Sequence, residues 1–128
     1  MSTTIRVAVC DDARAVKFFL RTVLEEDGDI QVVSTSSGGQ EALRALAEHE
    51  AAVLLLDLLL PDVPEPADLV AEIRERWPAT AILLMSNLPP SLLEKESERL
   101  ATDGWTPKAH KPEQLRQSVR DALAAARA

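Results

Sequence analysis

Residues 51–57 read Ala51-Ala52-Val53-Leu54-Leu55-Leu56-Asp57. Six apolar residues with almost no polar interruption suit a strand covered on both faces of a sheet, and this one stops on a carboxylate. Ala81-Ile82-Leu83-Leu84-Met85 repeats the pattern and ends at Ser86-Asn87. Ile5-Arg6-Val7-Ala8-Val9-Cys10 is a shorter version, broken off by Asp11-Asp12. Between these runs the apolar spacing changes from continuous to three and four residues. Val16, Phe19, Leu20, Val23 and Leu24 form one helical stripe; Ala42, Leu43, Leu46 and Ala47 form a second. Leu69, Val70, Ile73 and Trp77 mark a third helix, stopped by Pro78, and Ser91 to Ala101 a weaker fourth. A last helix opens at Pro112, where proline suits the first turn, and ends in an Ala-rich tail expected to fray. Ile30–Val33 and Gly104–Lys108 supply the two remaining strands. Five strands alternating with five helices predict an α/β protein, (βα)5, with a parallel sheet covered by helices on both sides.

The whole chain, 1–128 with a core near 5–125, reads as one domain, since no linker or composition break divides it. Its 46% hydrophobic content is too high for a disordered chain. With 14 Lys+Arg against 21 Asp+Glu the net charge is −7, and no basic cluster offsets it, which disfavours direct nucleic-acid binding. The longest apolar run is far short of the ~20 residues that a membrane helix requires. A polar start without a signal-peptide pattern predicts a cytoplasmic protein. Cys10 is the one cysteine, which rules out an internal disulfide and a cysteine zinc site.

In doubly wound sheets the reactive groups gather beyond the carboxyl ends of the strands. Here those ends carry Asp11 and Asp12, Asp57, Ser86, and Lys108. If the first and third strands are neighbours, three carboxylates share one cleft. Such crowding calls for a cation, and oxygen-only donors favour a hard ion such as Mg²⁺. A lysine and a hydroxyl on the opposite rim suit a phosphoryl group.

This set, in this order, resembles the receiver domain of two-component response regulators. Leu56-Asp57-Leu58-Leu59-Leu60-Pro61, Gly104-Trp105-Thr106-Pro107-Lys108 and Pro112-Glu113-Gln114-Leu115 extend the resemblance over nearly the whole chain. It implies a flavodoxin-like three-layer sandwich with strand order 2-1-3-4-5. It also implies that Asp57 accepts a phosphoryl group from a sensor histidine kinase or phosphotransfer protein. The metal, Mg²⁺ or Mn²⁺, would be held by Asp11, Asp12, Asp57 and the backbone carbonyl of Leu59. Lys108 and Ser86 would contact the phosphoryl group, and Ser86 and Trp105 would move as a switch. That movement would reshape the face made by helix four, strand five and helix five, to be read by a downstream protein or a second copy of the chain. The protein would take part in its own phosphoryl transfer without being a turnover enzyme.

The chain departs from the family pattern in three places. Pro64-Glu65-Pro66 stands where an Asp/Asn-Gly pair is usual, so the loop after strand three is stiffer. Asn87 replaces a small residue beside the phosphoryl site. Leu59 and Leu88 stand at two positions that in the family flank the route of the attacking water, which predicts a long-lived aspartyl phosphate. Two other functions share these residues. One is a receiver-like interaction module that phosphate does not switch. The other is a small Mg²⁺-dependent phosphohydrolase with Asp57 as nucleophile and Asp62 as its acid/base. Lys111-Pro112 also resembles the family's Lys-Pro signature, but the spacing from Ser86 and the Gly-Trp-Thr-Pro-Lys context favour Lys108 and leave Lys111 a surface charge. His49 and His110, without partners at catalytic spacing, are expected to face solvent.

Overall fold

The computed structural model describes residues 4–128. Ten elements alternate along the chain: β1 (Ile5–Cys10), α1 (Arg14–Leu24), β2 (Ile30–Ser36), α2 (Gly39–Glu48), β3 (Val53–Asp57), α3 (Pro66–Arg76), β4 (Ala81–Ser86), α4 (Pro90–Leu100), β5 (Gly104–Pro107) and α5 (Pro112–Arg127). The strands form one parallel sheet in the order β2-β1-β3-β4-β5. The expected (βα)5 fold and strand order are therefore both present. Among the described residues no helix is long and apolar enough to cross a membrane.

Alternation along the central strands explains why their sequence is continuously apolar. Val53 and Leu55 of β3 point into the layer containing Leu20 and Leu24 of α1 and Leu115 and Val119 of α5. Leu54 and Leu56 point the other way, onto α2, α3 and α4 through Leu43, Leu46, Ile73 and Leu93. Successive side chains leave opposite faces, so a strand with a layer on each side has no position where water is cheap. Each leucine so buried contributes about 1.5–3 kcal/mol relative to exposure.

The edges differ from the sequence reading in instructive ways. Strand β2 continues three residues past Val33, through Ser34, Thr35 and Ser36. As an edge strand it tolerates polar residues, which hid its second half. Its register against β1 slips by one residue at Val33, since Val7 pairs with Val32 and Ala8 with Ser34. Helix α5 runs on to Arg127, with Ala122 and Leu123 packed on the sheet and residues 124–128 exposed. In α1, Phe19 lies at the margin of its stripe and is largely exposed, as is Phe18 beside it; in α2, Ala47 also faces out.

Between α1 and β2 the chain turns at Asp27-Gly28-Asp29, with Gly28 at φ 83°, a left-handed conformation that costs glycine nothing. Two arginines of α5 fasten this turn. Arg116, almost fully buried, donates to the Val23 carbonyl at 2.8 Å and to Asp27 Oδ2 at 2.9 Å. Arg120 forks onto Asp29 at 2.8 and 3.0 Å. The Arg120 bonds hold the Asp29 carboxyl below its usual range. A guanidinium can be buried here because its donors meet oxygens on a facing element, a pairing invisible along the sequence.

Candidate functional site

Strands β1 and β3 are adjacent, so the residues ending them meet. Asp11 follows β1 directly and is held by two backbone bonds. Its amide donates to the Ser36 carbonyl at 2.9 Å, and its Oδ1 accepts the Ala13 amide at 2.8 Å. Asp12 is exposed at the rim. Asp57 is the last residue of β3 and is buried. Its Oδ1 accepts the Leu59 amide at 3.2 Å, and its Oδ2 lies 3.1 Å from Lys108 Nζ. One oxygen from each of Asp11, Asp12 and Asp57 falls within 4.8 Å of the others.

Lys108 reaches this cluster from the residue after β5. Its ammonium also lies 2.7 Å from Asp11 Oδ2, an ion contact that leaves this buried oxygen without a well-directed hydrogen bond. Burial pulls the lysine pKa down, but contacts with Asp11 and Asp57 outweigh it and hold the ammonium above its ordinary value. Asp57 is shifted upward. Burial is the main cause and Asp11 adds to it, while the Leu59 amide and Lys108 offset only part. Ser86, buried at the end of β4, has its Oγ accepting the Leu88 amide at 3.1 Å, which leaves its proton free to donate. Its carbonyl takes the Lys108 amide at 3.0 Å, locking the ends of β4 and β5 together. A cleft of about 310 Å³ lined by Ser86, Asn87, Leu88, Pro89, Lys108 and Ala109 opens beside them.

The donor set fits a hard divalent cation. It offers three carboxylates with oxygens close enough for one ion to touch, no nitrogen or sulfur donor among them, and a buried Asp11 oxygen short of hydrogen bonds. Cys10, at the end of β1, belongs to the core instead. Burial, with Asp57 the next cause, pushes its thiol up to about 12, and Sγ donates to the Gly38 carbonyl at 3.4 Å.

The remaining sequence-derived residues spread around this centre. Leu59 stands 64% exposed above the site, whereas Leu88 is partly buried against the core, so the two leucines are not equivalent. Asn87 is exposed. Trp105 on β5 is half-buried against the layer of α2, α3 and α4. Lys111 is exposed ahead of α5. His110 departs from the solvent-facing expectation: it is half-buried, and its Nδ1 lies 3.1 Å from the hydroxyl of buried Thr106. The four-residue separation of a threonine and a histidine across a turn carries no distinctive signal. Asp62 is the other surprise. Its oxygens accept the Gly39 and Gln40 amides at 2.9 and 3.3 Å, capping α2 from a different loop. These bonds, the Gly39 one foremost, lower its pKa and engage both carboxylate oxygens in the cap.

Residues 7–120 match the response regulator receiver domain, and the chain belongs to that family. A protein-glutamate methylesterase/protein-glutamine glutaminase of Rhodospirillum rubrum is 36% identical over 84 residues, 66% of this chain and 21% of that protein. The oxygen regulatory protein NreC of Staphylococcus epidermidis is 33% identical over 84 residues, 64% of this chain and 38% of its own length. The chain thus spans well under half of either relative. Among solved structures, a two-component response regulator of the LuxR family from Aurantimonas sp. superposes with a TM-score of 0.84 at 25% identity, covering 95% of this chain and 86% of that one. A response regulator receiver domain protein from Clostridium thermocellum shares the fold with a TM-score of 0.79 at 20% identity, covering 94% of each chain. The protein is a receiver domain of the two-component type.

Proposed function

We propose that Asp57 is the phosphoacceptor of this receiver and that the chain works as a phosphorylation-controlled switch. The observation that carries this reading is the setting of Asp57: a buried carboxylate, raised in pKa, bonded to Lys108 and sharing a cation-sized space with Asp11 and Asp12. A carboxylate oxygen of Asp57 attacks the phosphorus of a phosphohistidine on a sensor kinase or phosphotransfer protein. The P–N bond breaks, the imidazole nitrogen keeps the electron pair, and a mixed acyl phosphate forms. Phosphoryl transfer needs positioning and charge neutralisation more than covalent help from the protein. Asp11, Asp12, Asp57 and the Leu59 carbonyl would hold Mg²⁺ or Mn²⁺, which supplies part of that neutralisation. Lys108 supplies the rest, exchanging its contact with Asp57 for one with a phosphoryl oxygen. The free Ser86 proton points to a second phosphoryl oxygen as its acceptor. Drawing Ser86 and Lys108 toward the phosphate pulls on the joined ends of β4 and β5, where Trp105 sits. The α4–β5–α5 face is then the readout, for a downstream protein or a second copy. In this reading the protein is cytoplasmic, binds neither nucleic acid nor membrane directly, and is not a turnover enzyme.

The test is exposure to Mg²⁺ and acetyl phosphate, followed by intact mass. Wild type is expected to gain one phosphoryl mass, only with the metal, and Asp57→Asn to gain none. No gain in wild type overturns the switch and leaves the interaction module; steady phosphate release from many esters points to the hydrolase. Bulk over the site supports a slow-decaying adduct. Leu59→Asn is expected to shorten its lifetime, and Leu88→Glu to shorten it less, because Leu88 packs inward. Equal lifetimes in all three proteins would sink that part.

A further inference from the structure

We infer that Asp62 is a positioning residue: it clasps the loop after Asp57 to the start of α2 and thereby sets where the Leu59 carbonyl stands for the divalent cation. This deepens the phosphoacceptor reading and rests on it. The loop has no glycine between Asp57 and α3, and Pro61, Pro64 and Pro66 restrict it. Its near end is fixed by the Leu58 amide on the Met85 carbonyl at 2.9 Å and by Leu60 in the core. The Val63 amide then closes a turn on the Leu60 carbonyl at 3.0 Å, which throws Asp62 outward. There its carboxylate takes two amides at the start of α2, donors that have no partner within the helix.

Gly38 and Gly39 form the seat for this clasp. A Cβ on Gly38 would stand 2.8 Å from Asp62 Oδ1, and one on Gly39 would stand 2.6 Å from Val63 Cγ2. Gly38 has φ −161°, extended backbone open to any residue, so room for the loop rather than backbone conformation is what its hydrogen side chain provides. The same turn is tied to β1 by Cys10 Sγ on the Gly38 carbonyl and by the Asp11 amide on the Ser36 carbonyl. The strand end carrying Asp11 and the loop carrying Leu59 are thus both referenced to one turn. Groups that orient metal ligands from outside the coordination sphere matter for affinity, and a clasp of this kind acts in the same way.

Mg²⁺ binding measured by titration calorimetry on the purified protein tests this, with melting temperature recorded for each variant. Asp62→Ala is expected to weaken Mg²⁺ by about tenfold, the low end of the range for such orienting groups. Asp62→Asn, which keeps an accepting oxygen, should recover part of the loss. Gly38→Ala, made outside the loop, should weaken Mg²⁺ similarly by displacing Asp62. In the Asp62→Ala background, Gly38→Ala should add nothing, because the two changes break one interaction. Unchanged Mg²⁺ affinity in both single variants, or fully additive losses in the double variant, overturns the clasp. Failure of wild type to bind Mg²⁺ at all instead overturns the phosphoacceptor reading beneath it.

Discussion

At the amino ends of the strands, Asp27 and Asp29 meet the guanidiniums of Arg116 and Arg120; at the carboxyl ends, Asp11, Asp12 and Asp57 share the ammonium of Lys108. With Glu26 also 3.5 Å from Arg116, the first group sets three carboxylates against two guanidiniums in fork geometry, and it joins α5 to the turn before β2. The second holds three carboxylates against one cation, and Asp57 is raised in pKa, by burial first and by Asp11 beside it. Carboxylates already held by fork-shaped donors stabilise a fold but leave little for a ligand to do. The other end, with one ammonium for three carboxylates, has the larger charge excess and gains most from a cation.

The sharpest way to break the contrast is Lys108→Ala. It removes the ammonium proposed to face the phosphoryl oxygens, and the rate of uptake from acetyl phosphate is expected to fall by about a hundredfold, the scale for losing one preorganised charge-stabilising donor. Mg²⁺ should meanwhile bind more tightly, since a competing positive charge is gone. A rate within a factor of two of wild type would undo the role given to Lys108. Arg116→Ala should do the reverse, lowering unfolding free energy by about 1–3 kcal/mol through the Val23 carbonyl left without its donor while phosphoryl uptake survives. Urea unfolding monitored beside intact mass separates the two outcomes.

Acid should pull the two ends in opposite directions. Asp29 has a folded pKa below its ordinary 3.8, so its contribution is present above that value and lost as pH falls through the folded one. Asp57 has a raised pKa, so its ionisation opposes folding at neutral pH and the penalty is relieved as pH falls through that raised value. Asp57→Asn is therefore expected to be more stable than wild type at pH 7, with the gap closing toward 3.8. Arg120→Ala should be less stable at pH 7, with that deficit closing only once Asp29 protonates. Unfolding curves across this range check both signs. The smallest expected effect is that of Lys111→Ala, within about 0.5 kcal/mol of wild-type stability, as for an exposed charge, and without change in uptake.

Much of this is legible along the chain. The apolar runs ending at Cys10, Leu56 and Met85 announced buried strands, and the polar residues following them are the ones that the sheet brings together. What escaped was of two kinds. Edge strand β2 lost its second half to Ser34-Thr35-Ser36 because an edge lacks the covering layer that makes strands apolar. Arg116, His110 and Asp62 escaped because their partners lie on other elements. An arginine in a helix, a histidine in a turn and an aspartate after a proline carry no mark of the residue they will touch.

The (βα)5 order, the two covered faces, and the roster of Asp11, Asp12, Asp57, Ser86 and Lys108 can be read along the chain, because burial and strand termination are local and write themselves into composition. Tertiary structure alone decided that Lys108 bridges Asp11 and Asp57, that Leu59 stands out while Leu88 packs in, and that Asp62 holds the start of α2. Those depend on which strands are neighbours and how far a side chain reaches across them. Proximity between distant positions follows from packing the whole sheet, and no stretch of sequence contains it.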